Sequence, residues 1–322
     1  LPDNVVYENP NGIDGTHSYS VRLTDEKLGW LRKDLATVDK QTPVFVGMHV
    51  PLHKTPTLDD TGRTTTSYNM EDAERFADGK LSWSYAMPAD CRAKMLDLLA
   101  PYTVHFVTGH THINYANRIT ERMTEHNIAA VCATWWWTGH TDYAGNHICR
   151  DGSPGGYKIF EATGSDVRWY YKSIGKDAGY QFRTYDLNEC LLEKSDFCPS
   201  ASDSDFAKYA FGYDRANDNN EVLINVFDWA DDWKIEVTDL SDDSSLAVQR
   251  VRTHDPLHVI SYNMRKLDKK SAMTFPTSYS AHMFKVKART ASSSLRIVVI
   301  DGFENHYEQI MERPKALSFA ME

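Results

Sequence analysis

The first half of the chain alternates between two hydrophobic periods. After Thr24, a residue type that caps helix N-termini, apolar side chains recur at three- and four-residue spacing and predict a helix that ends near Pro43. The consecutive apolar residues 43–47 are typical of a buried strand. The pattern repeats downstream, with a helix predicted from Pro88 and a strand over residues 102–108. Repeats of strand, helix and strand predict a layered α/β domain.

Beyond about residue 180 the pattern changes to short alternating segments that are separated by turn residues. They predict an all-β sandwich with strands near 222–226, 234–237, 282–288 and 295–300. Two further segments of the first part are predicted as β structure, a strand at 126–137 and a closing hairpin over 156–172. We therefore predict two domains, residues 1–175 and residues 180–322.

Two histidine motifs follow two of the predicted strands. His49 comes just after the strand at 43–47, and the sequence Gly-His-Thr-His at 109–112 comes directly after the strand at 102–108. Ligands of α/β sheets bind outside the carboxyl ends of the strands. Neutral imidazole is a ligand for Zn, Mn and Fe. The sequence therefore predicts a metal site at this edge of the sheet.

These motifs resemble the last two metal-binding motifs of the calcineurin-like metallophosphoesterases. The helix sequence at 26–31, before the His49 strand, is also similar to that family. Segments 135–139 and 151–157 resemble a bacterial subgroup that carries an extra C-terminal β-domain. The specific motifs lie within 24–172, and the resemblance covers most of the chain. It implies that the first domain is the C-terminal half of a metallophosphoesterase α/β sandwich.

The resemblance also implies a role for each histidine of the two motifs. His49 and His110 would bind one divalent metal ion and His112 the other, in a dinuclear centre of Mn, Zn or Fe. Two such metal ions neutralise a phosphate ester and form the hydroxide that attacks phosphorus. The implied activity is that of a metallophosphoesterase, which hydrolyses a phosphomonoester or phosphodiester. Its implied partner is a small-molecule phosphate ester.

The chain departs from the family in its acidic motifs. No segment matches the Asp-x-His, Gly-Asp or Gly-Asn-His-Asp/Glu motifs, which supply the bridging aspartate, an asparagine ligand and the leaving-group acid. Family order places these motifs before residue 1, so we expect this chain alone to hydrolyse phosphate esters poorly, and no general acid is assigned. The alternative function is a non-catalytic binding module whose β-domain recognises a glycan or a protein.

Three further side chains are candidates for lining the substrate pocket, namely His53, Trp137 and His140. For the histidines, the alternative is a solvated loop position. For Trp137 and its neighbours at 135–136, one interpretation is a platform for a sugar or a base. The other follows from strand geometry, which turns neighbouring side chains to opposite faces and would place at least one of the three in the core.

Several other positions have two open interpretations. Asp151 is either a carboxylate near the metals or part of a turn, and the acidic segment 228–232 is either a calcium site or a solvated turn. His105 lies on a predicted buried strand and is interpreted as a core histidine. Cys190 and Cys198 are close enough in sequence to form a disulfide, with free thiols as the alternative.

Composition narrows the classes of partner. The 322 residues carry a formal net charge of −10, which disfavours nucleic-acid binding. No apolar run approaches the ~18 residues of a membrane-spanning helix. The first ten residues lack the features of a signal peptide. Proteins with the resembling architecture are often exported, so we expect a periplasmic or secreted parent protein. No pattern indicates the oligomeric state.

Overall fold

The computed structural model describes residues 4–7, 19–53, 57–58, 64–65, 86–138 and 147–317. Within these ranges the chain is rich in β structure and has few helices. No helix in these ranges is both long and apolar enough to cross a membrane.

The described residues of the first part form eight strands, two helices and a hairpin. In chain order they are β1 (Val5–Tyr7), β2 (Tyr19–Val21), α1 (Asp25–Leu35), β3 (Val44–Gly47), β4 (Thr57–Leu58), β5 (Thr64–Thr65), α2 (Ala89–Leu99), β6 (Val104–Thr108), β7 (Tyr115–Thr120) and β8 (Met123–Asn127), followed by the antiparallel pair β9 (Gly156–Thr163) and β10 (Asp166–Ser173). Four strands form one sheet in the order β3-β6-β8-β7. The first three are parallel, and β7 is antiparallel to β8.

Both helices begin where the sequence provides a helix-start signal. The side chain of Thr24 accepts a hydrogen bond from the Lys27 N–H (3.3 Å), and α1 follows. Pro88 has an extended backbone, so α2 begins one residue later than predicted. The two helices share a core with the sheet, in which Leu35 and Leu99 pack with strand residues such as Phe106.

The second part contains two four-stranded antiparallel sheets that share one core. Its strands are β11 (Phe182–Asp186), β12 (Glu221–Val226), β13 (Lys234–Asp239), β14 (Ser244–Ser245), β15 (Gln249–Thr253), β16 (Ser280–Lys287), β17 (Leu295–Ile300) and β18 (His306–Met311). The sheet orders are β11-β12-β16-β15 and β14-β13-β17-β18. Alternate residues of β12 and β17, such as Ile224 and Ile297, meet in the core between them. The predicted strands of this part are thereby confirmed.

The second part also contains helices that the sequence pattern did not predict. They are α3 (Lys194–Phe197), α4 (Asp203–Ala210), α5 (Pro256–His258), a π-helical stretch (Val259–Met264) and α6 (Arg265–Asp268). Every residue from 256 to 264 is buried. A helix that is buried on all sides shows no amphipathic period, and this explains why the segment was missed.

The predicted strand at 126–137 ends early. β8 stops at Asn127, and residues 131–136 form turns with positive φ at Ala133, Trp135 and Trp136. The hairpin predicted over 156–172 is confirmed as β9 and β10. All five cysteines are free thiols, so the disulfide between Cys190 and Cys198 does not form in this structure.

Buried charges connect the two parts of the chain. Lys158 in β9 forms an ion pair with Asp228 (2.7 Å), and both side chains are completely buried. Burial lowers the pKa of Lys158 and raises that of Asp228, while their mutual attraction opposes both shifts. The acidic segment 228–232 is therefore not a solvated turn throughout, because its first carboxylate anchors the hairpin to the second part.

Candidate metal centre

The ends of two neighbouring parallel strands bring His49 and His110 together. β3 and β6 are paired in register up to Gly47 and Val107, and Gly109 N–H donates to the carbonyl of His49 (3.1 Å). As a result, His49 Nε2 lies 2.9 Å from His110 Nδ1, and the rings meet edge to face. The predicted position at the carboxyl ends of the strands is where the structure places them.

The backbone of the Gly-His-Thr-His segment is held in an unusual conformation. His110 and His112 have φ values of 65° and 55°, in the left-handed region that side chains other than glycine rarely occupy. Such conformations persist where surrounding structure holds them, and they cluster at functional sites. In this conformation the two histidine rings have different neighbours. The His110 ring contacts His49, and the His112 ring contacts Trp135.

The hydrogen bond of His112 fixes its tautomer. Its Nδ1 is bonded to the carbonyl oxygen of Ala133. A carbonyl only accepts, so Nδ1 carries a proton, and in the neutral ring the lone pair is on Nε2. Metal-bound histidines commonly have this arrangement, in which the second ring nitrogen donates to a backbone carbonyl. The His112 ring also stacks on Trp135, with centroids 4.5 Å apart.

The electrostatics of the segment favour neutral imidazole. Burial lowers the pKa of His110, and the neighbouring charges of His49 and His112 lower it further. The neutral ring is the form that binds a metal ion. His49 and His112 therefore both lie close enough to His110 to lower the pKa of its ring.

The donor set fits part of a metal site. Two ligand nitrogens at about 2.0–2.1 Å from one metal ion are about 2.9–3.4 Å apart for angles of about 90–109°, and the 2.9 Å between His49 Nε2 and His110 Nδ1 lies at the lower end of that range. Among the residues that the structure describes, no group of three or more His, Cys, Asp or Glu side chains is arranged to hold a metal ion. Within the described ranges, the pair of His49 and His110 is thus not completed to a full set of metal ligands.

Two of the three predicted lining residues are described. His53 is 3% exposed, and its Nδ1 lies 2.7 Å from the Glu125 carboxylate, so it is a buried, paired histidine rather than a solvated one. Trp137 is 47% exposed; its carbonyl accepts from the Arg265 guanidinium (2.5 Å), and the Lys266 ammonium lies over its ring. His140 lies outside the described residues.

The tryptophan triplet is displayed at the surface, and the expectation that one ring enters the core is wrong. Trp135, Trp136 and Trp137 are 49%, 57% and 47% exposed. The strand alternation behind that expectation does not apply, because this segment is a left-handed turn rather than a strand. Trp136 meets the ring of His147 edge to face, so this histidine also lies beside the aromatic surface.

Asp151 lies in a turn, which was one of its two interpretations, but the sequence did not indicate the further role of its carboxylate. Its carboxylate is completely buried and accepts hydrogen bonds from the Asn114 N–H (2.7 Å), the Ser153 N–H (2.9 Å) and the His282 ring (3.1 Å). Burial alone would raise its pKa, but the hydrogen bond and charge of His282 and the two backbone donors outweigh burial, and the pKa is lowered. Asn114 lies two residues after His112, so Asp151 fastens the end of the histidine segment to β16.

Comparison with known proteins identifies one family. Residues 125–307, more than half of the chain, match the family described as the C terminal of calcineurin-like phosphoesterase. No curated protein and no solved structure matches the chain. The matched residues include Asp151, Lys158 and the two sheets of the second part, whereas His49, His110 and His112 lie before them.

Proposed function

Because this chain belongs to the calcineurin-like phosphoesterase family, within the part described as its C terminal, we propose that it serves metal-dependent hydrolysis of a phosphomonoester or phosphodiester. The observation that carries the proposal is the 2.9 Å approach of His49 Nε2 and His110 Nδ1 at the ends of β3 and β6. In a dinuclear site these two residues would bind one metal ion and His112 the other. The sheet β3-β6-β8-β7 with α1 and α2 is then half of the family's α/β sandwich.

The proposal extends to the division of the chain. Residues 1–175 would carry the metal-binding part, and residues 180–322 would form the β-domain. The buried pair of Lys158 and Asp228 supports a fixed arrangement of the two, since its partners belong to different parts. The β-domain would then act as a rigid support for the metal-binding segment rather than as a separate module.

The residues of the site have distinct tasks. Bound divalent metal ions supply charge neutralisation and a hydroxide nucleophile at neutral pH. His49 and His110 provide neutral imidazole nitrogens, and the lowered pKa of His110 keeps its ring in that form. In the neutral His112 ring, Nδ1 donates to the Ala133 carbonyl, which leaves Nε2 as the nitrogen that would face a metal ion. Arg265 and Lys266, beside Trp137, place positive charge next to the aromatic surface, where an anionic ester would approach.

Metal stoichiometry tests the assignment of ligands. The purified chain is incubated with Mn²⁺ or Zn²⁺, excess metal is removed, and bound metal is measured by plasma mass spectrometry. We expect His49→Ala and His110→Ala each to weaken binding by about tenfold or more, as loss of a ligand should. His306→Ala removes an exposed histidine in β18 and serves as the matched control. Unchanged binding in both ligand variants would contradict the proposal.

Hydrolysis of bis-p-nitrophenyl phosphate tests the chemistry. We expect the chain alone to be a poor catalyst, because its sequence lacks the motifs that supply the bridging aspartate and the leaving-group acid. Residual turnover should depend on metal and disappear in His110→Ala. Robust turnover that is abolished by His112→Ala would show that the site is complete, and would overturn the expectation of poor activity while supporting the reaction.

A further inference from the structure

A cavity of about 530 Å³ is lined by residues from both parts of the chain. Its walls come from the edge strand β7, from β10, from the turn after β12 and from β15 and β16. His49, His110 and His112 are not among the lining residues. The volume falls within the range of about 300–1,000 Å³ that is common for small-molecule sites. The cavity is therefore a second candidate site that contains none of these three histidines, although His53, a predicted lining residue of the metal centre, borders it.

Two hydrogen-bond donors at this cavity lack acceptors. Asn117 is 8% exposed, and its Nδ2 has no hydrogen-bond partner among the described residues. The Nε1 of Trp229 is also buried and has no hydrogen-bond partner among the described residues. Both residues line the cavity. A buried donor without an acceptor is costly and rare in native proteins, and a bound ligand is one way to satisfy it. The two donors therefore indicate a ligand that carries acceptor oxygens.

Aromatic side chains form the apolar part of the lining. Trp169 from β10 and Trp229 from the turn after β12 both border the cavity, together with Tyr115 from β7. The Trp229 ring is fixed by packing against Phe284, with ring centroids 4.4 Å apart. Rigid aromatic faces lose little conformational entropy when they contact a ligand. They suit a ligand that presents apolar C–H faces along with its acceptors.

The charges on the lining balance one another. Arg118 pairs with Asp232 (3.5 Å), and Arg250 pairs with Asp231 (2.7 Å). Each guanidinium is thus opposed by a carboxylate, and the chain as a whole carries a net charge of −10. Such a lining offers no net attraction to a phosphate or a carboxylate ligand. It offers both donors and acceptors to an uncharged ligand.

We propose that this cavity binds a neutral saccharide of one or two rings. Once the Asn117 amide turns toward the cavity, a hydroxyl oxygen would accept from its Nδ2, and hydroxyl protons would be donated to Asp231 or Asp232. The C–H face of the ring would lie on Trp169. This binding can be tested separately from the phosphoesterase proposal, because His49, His110 and His112 do not line the cavity, although His53 is common to the cavity and to the predicted lining of the metal centre.

The test uses the full chain and four neutral disaccharides, cellobiose, maltose, lactose and chitobiose, with AMP as an anionic probe. Isothermal titration calorimetry is expected to show binding of at least one disaccharide with a Kd below about 10 mM. Asn117→Leu and Trp169→Leu should each weaken it by about tenfold or more. Trp136→Leu, which changes an exposed tryptophan outside the cavity, is the matched control and should bind normally.

Thermal melting separates loss of binding from loss of folding. Asn117→Leu removes an unsatisfied buried donor, so its melting temperature should equal or exceed that of the wild type while saccharide binding falls. Three results would overturn the proposal. They are absence of binding by all four disaccharides, binding that both cavity variants leave unchanged, and binding of AMP in preference to the disaccharides.

Discussion

Asp151 provides the most direct test of how the histidine segment is held. Three donors converge on its buried carboxylate, from Asn114, Ser153 and His282. Hydrogen bonds to charged groups contribute about 1.5–3 kcal/mol each. Asp151→Asn keeps the shape of the side chain, but the amide nitrogen that replaces one carboxylate oxygen cannot accept a hydrogen bond. We therefore expect a loss of about 1.5–3 kcal/mol in the free energy of unfolding. Asp151→Ala leaves all three donors unsatisfied, and we expect a loss of about 3–5 kcal/mol.

The assay is urea-induced unfolding at pH 7, followed by tryptophan fluorescence. Asp166→Asn, at an exposed position that begins β10, is the matched control and should change the free energy of unfolding by less than about 0.5 kcal/mol. The order wild type, Asn, Ala is the expected order of decreasing stability. An Asp151→Ala variant within about 1 kcal/mol of the wild type would refute the view that this carboxylate fastens the segment.

The lowered pKa of Asp151 adds a pH signature. Because the folded pKa lies below the ordinary value of 3.8, the stabilisation is present above that value and is lost as pH falls through the folded pKa. The stability difference between wild type and Asp151→Asn should therefore be constant from pH 7 to about 5 and shrink below about 4. A difference that grows on acidification would contradict the sign of the shift.

Three further variants test other buried features by the same urea assay. Lys158→Met should cost about 3–5 kcal/mol because it leaves the Asp228 carboxyl buried and unpaired, whereas Lys158→Met/Asp228→Leu should lie within about 1 kcal/mol of the wild type. Burial lowers the pKa of His258 from 6.5 to about 3, so on acidification this histidine is protonated in the unfolded chain before it is protonated in the folded one. The difference in free energy of unfolding between the wild type and His258→Gln should therefore shrink by about 1.4 kcal/mol per pH unit between pH 6 and 4.5. Gly152→Ala should cost more than about 3 kcal/mol, because φ is 82° and the added Cβ would lie 2.1 Å from a buried aspartate carboxylate. Gly164→Ala has a similar φ of 62° but open space around it, and should cost about 1–2 kcal/mol. Equal losses of stability in Lys158→Met and in the double variant would contradict the first argument. The same pH dependence of stability in the wild type and in His258→Gln would contradict the second, and equal losses in Gly152→Ala and Gly164→Ala would contradict the third.

The sequence predicted the features that depend on local patterns. The apolar run at 43–47 and the strand before residues 109–112 are enough to place His49 and His110 at strand ends, because a short buried strand leaves a clear signal. The pairing of β3 with β6 then follows from the α/β pattern. The alternating strands of the second part, such as β12 and β17, were predicted on the same basis.

The features that were missed depend on distant partners. Asp151 is buried because His282, 131 residues away, reaches its carboxylate, and no local pattern contains that information. The turn at 131–136 was predicted as a strand, since tryptophans favour strands and the left-handed backbone is set by contacts such as that between His112 and Trp135. The cavity beside Asn117 likewise forms only where the two parts of the chain meet.

The bond between Asp151 and His282 also sets an order of events during synthesis. The chain between Asn114 and His282 is about 170 residues long (282 − 114 = 168). A ribosome that adds about 5–20 residues per second takes roughly 10–30 s to cover this distance. During that interval the β3 and β6 strands can emerge and pair, and Asn127 can bond to Thr111 and to the carbonyl of Ile113, but Asp151 still lacks His282. A ribosome stalled before residue 282 would therefore display the histidines with their local bonds but without the link from Asp151 to β16.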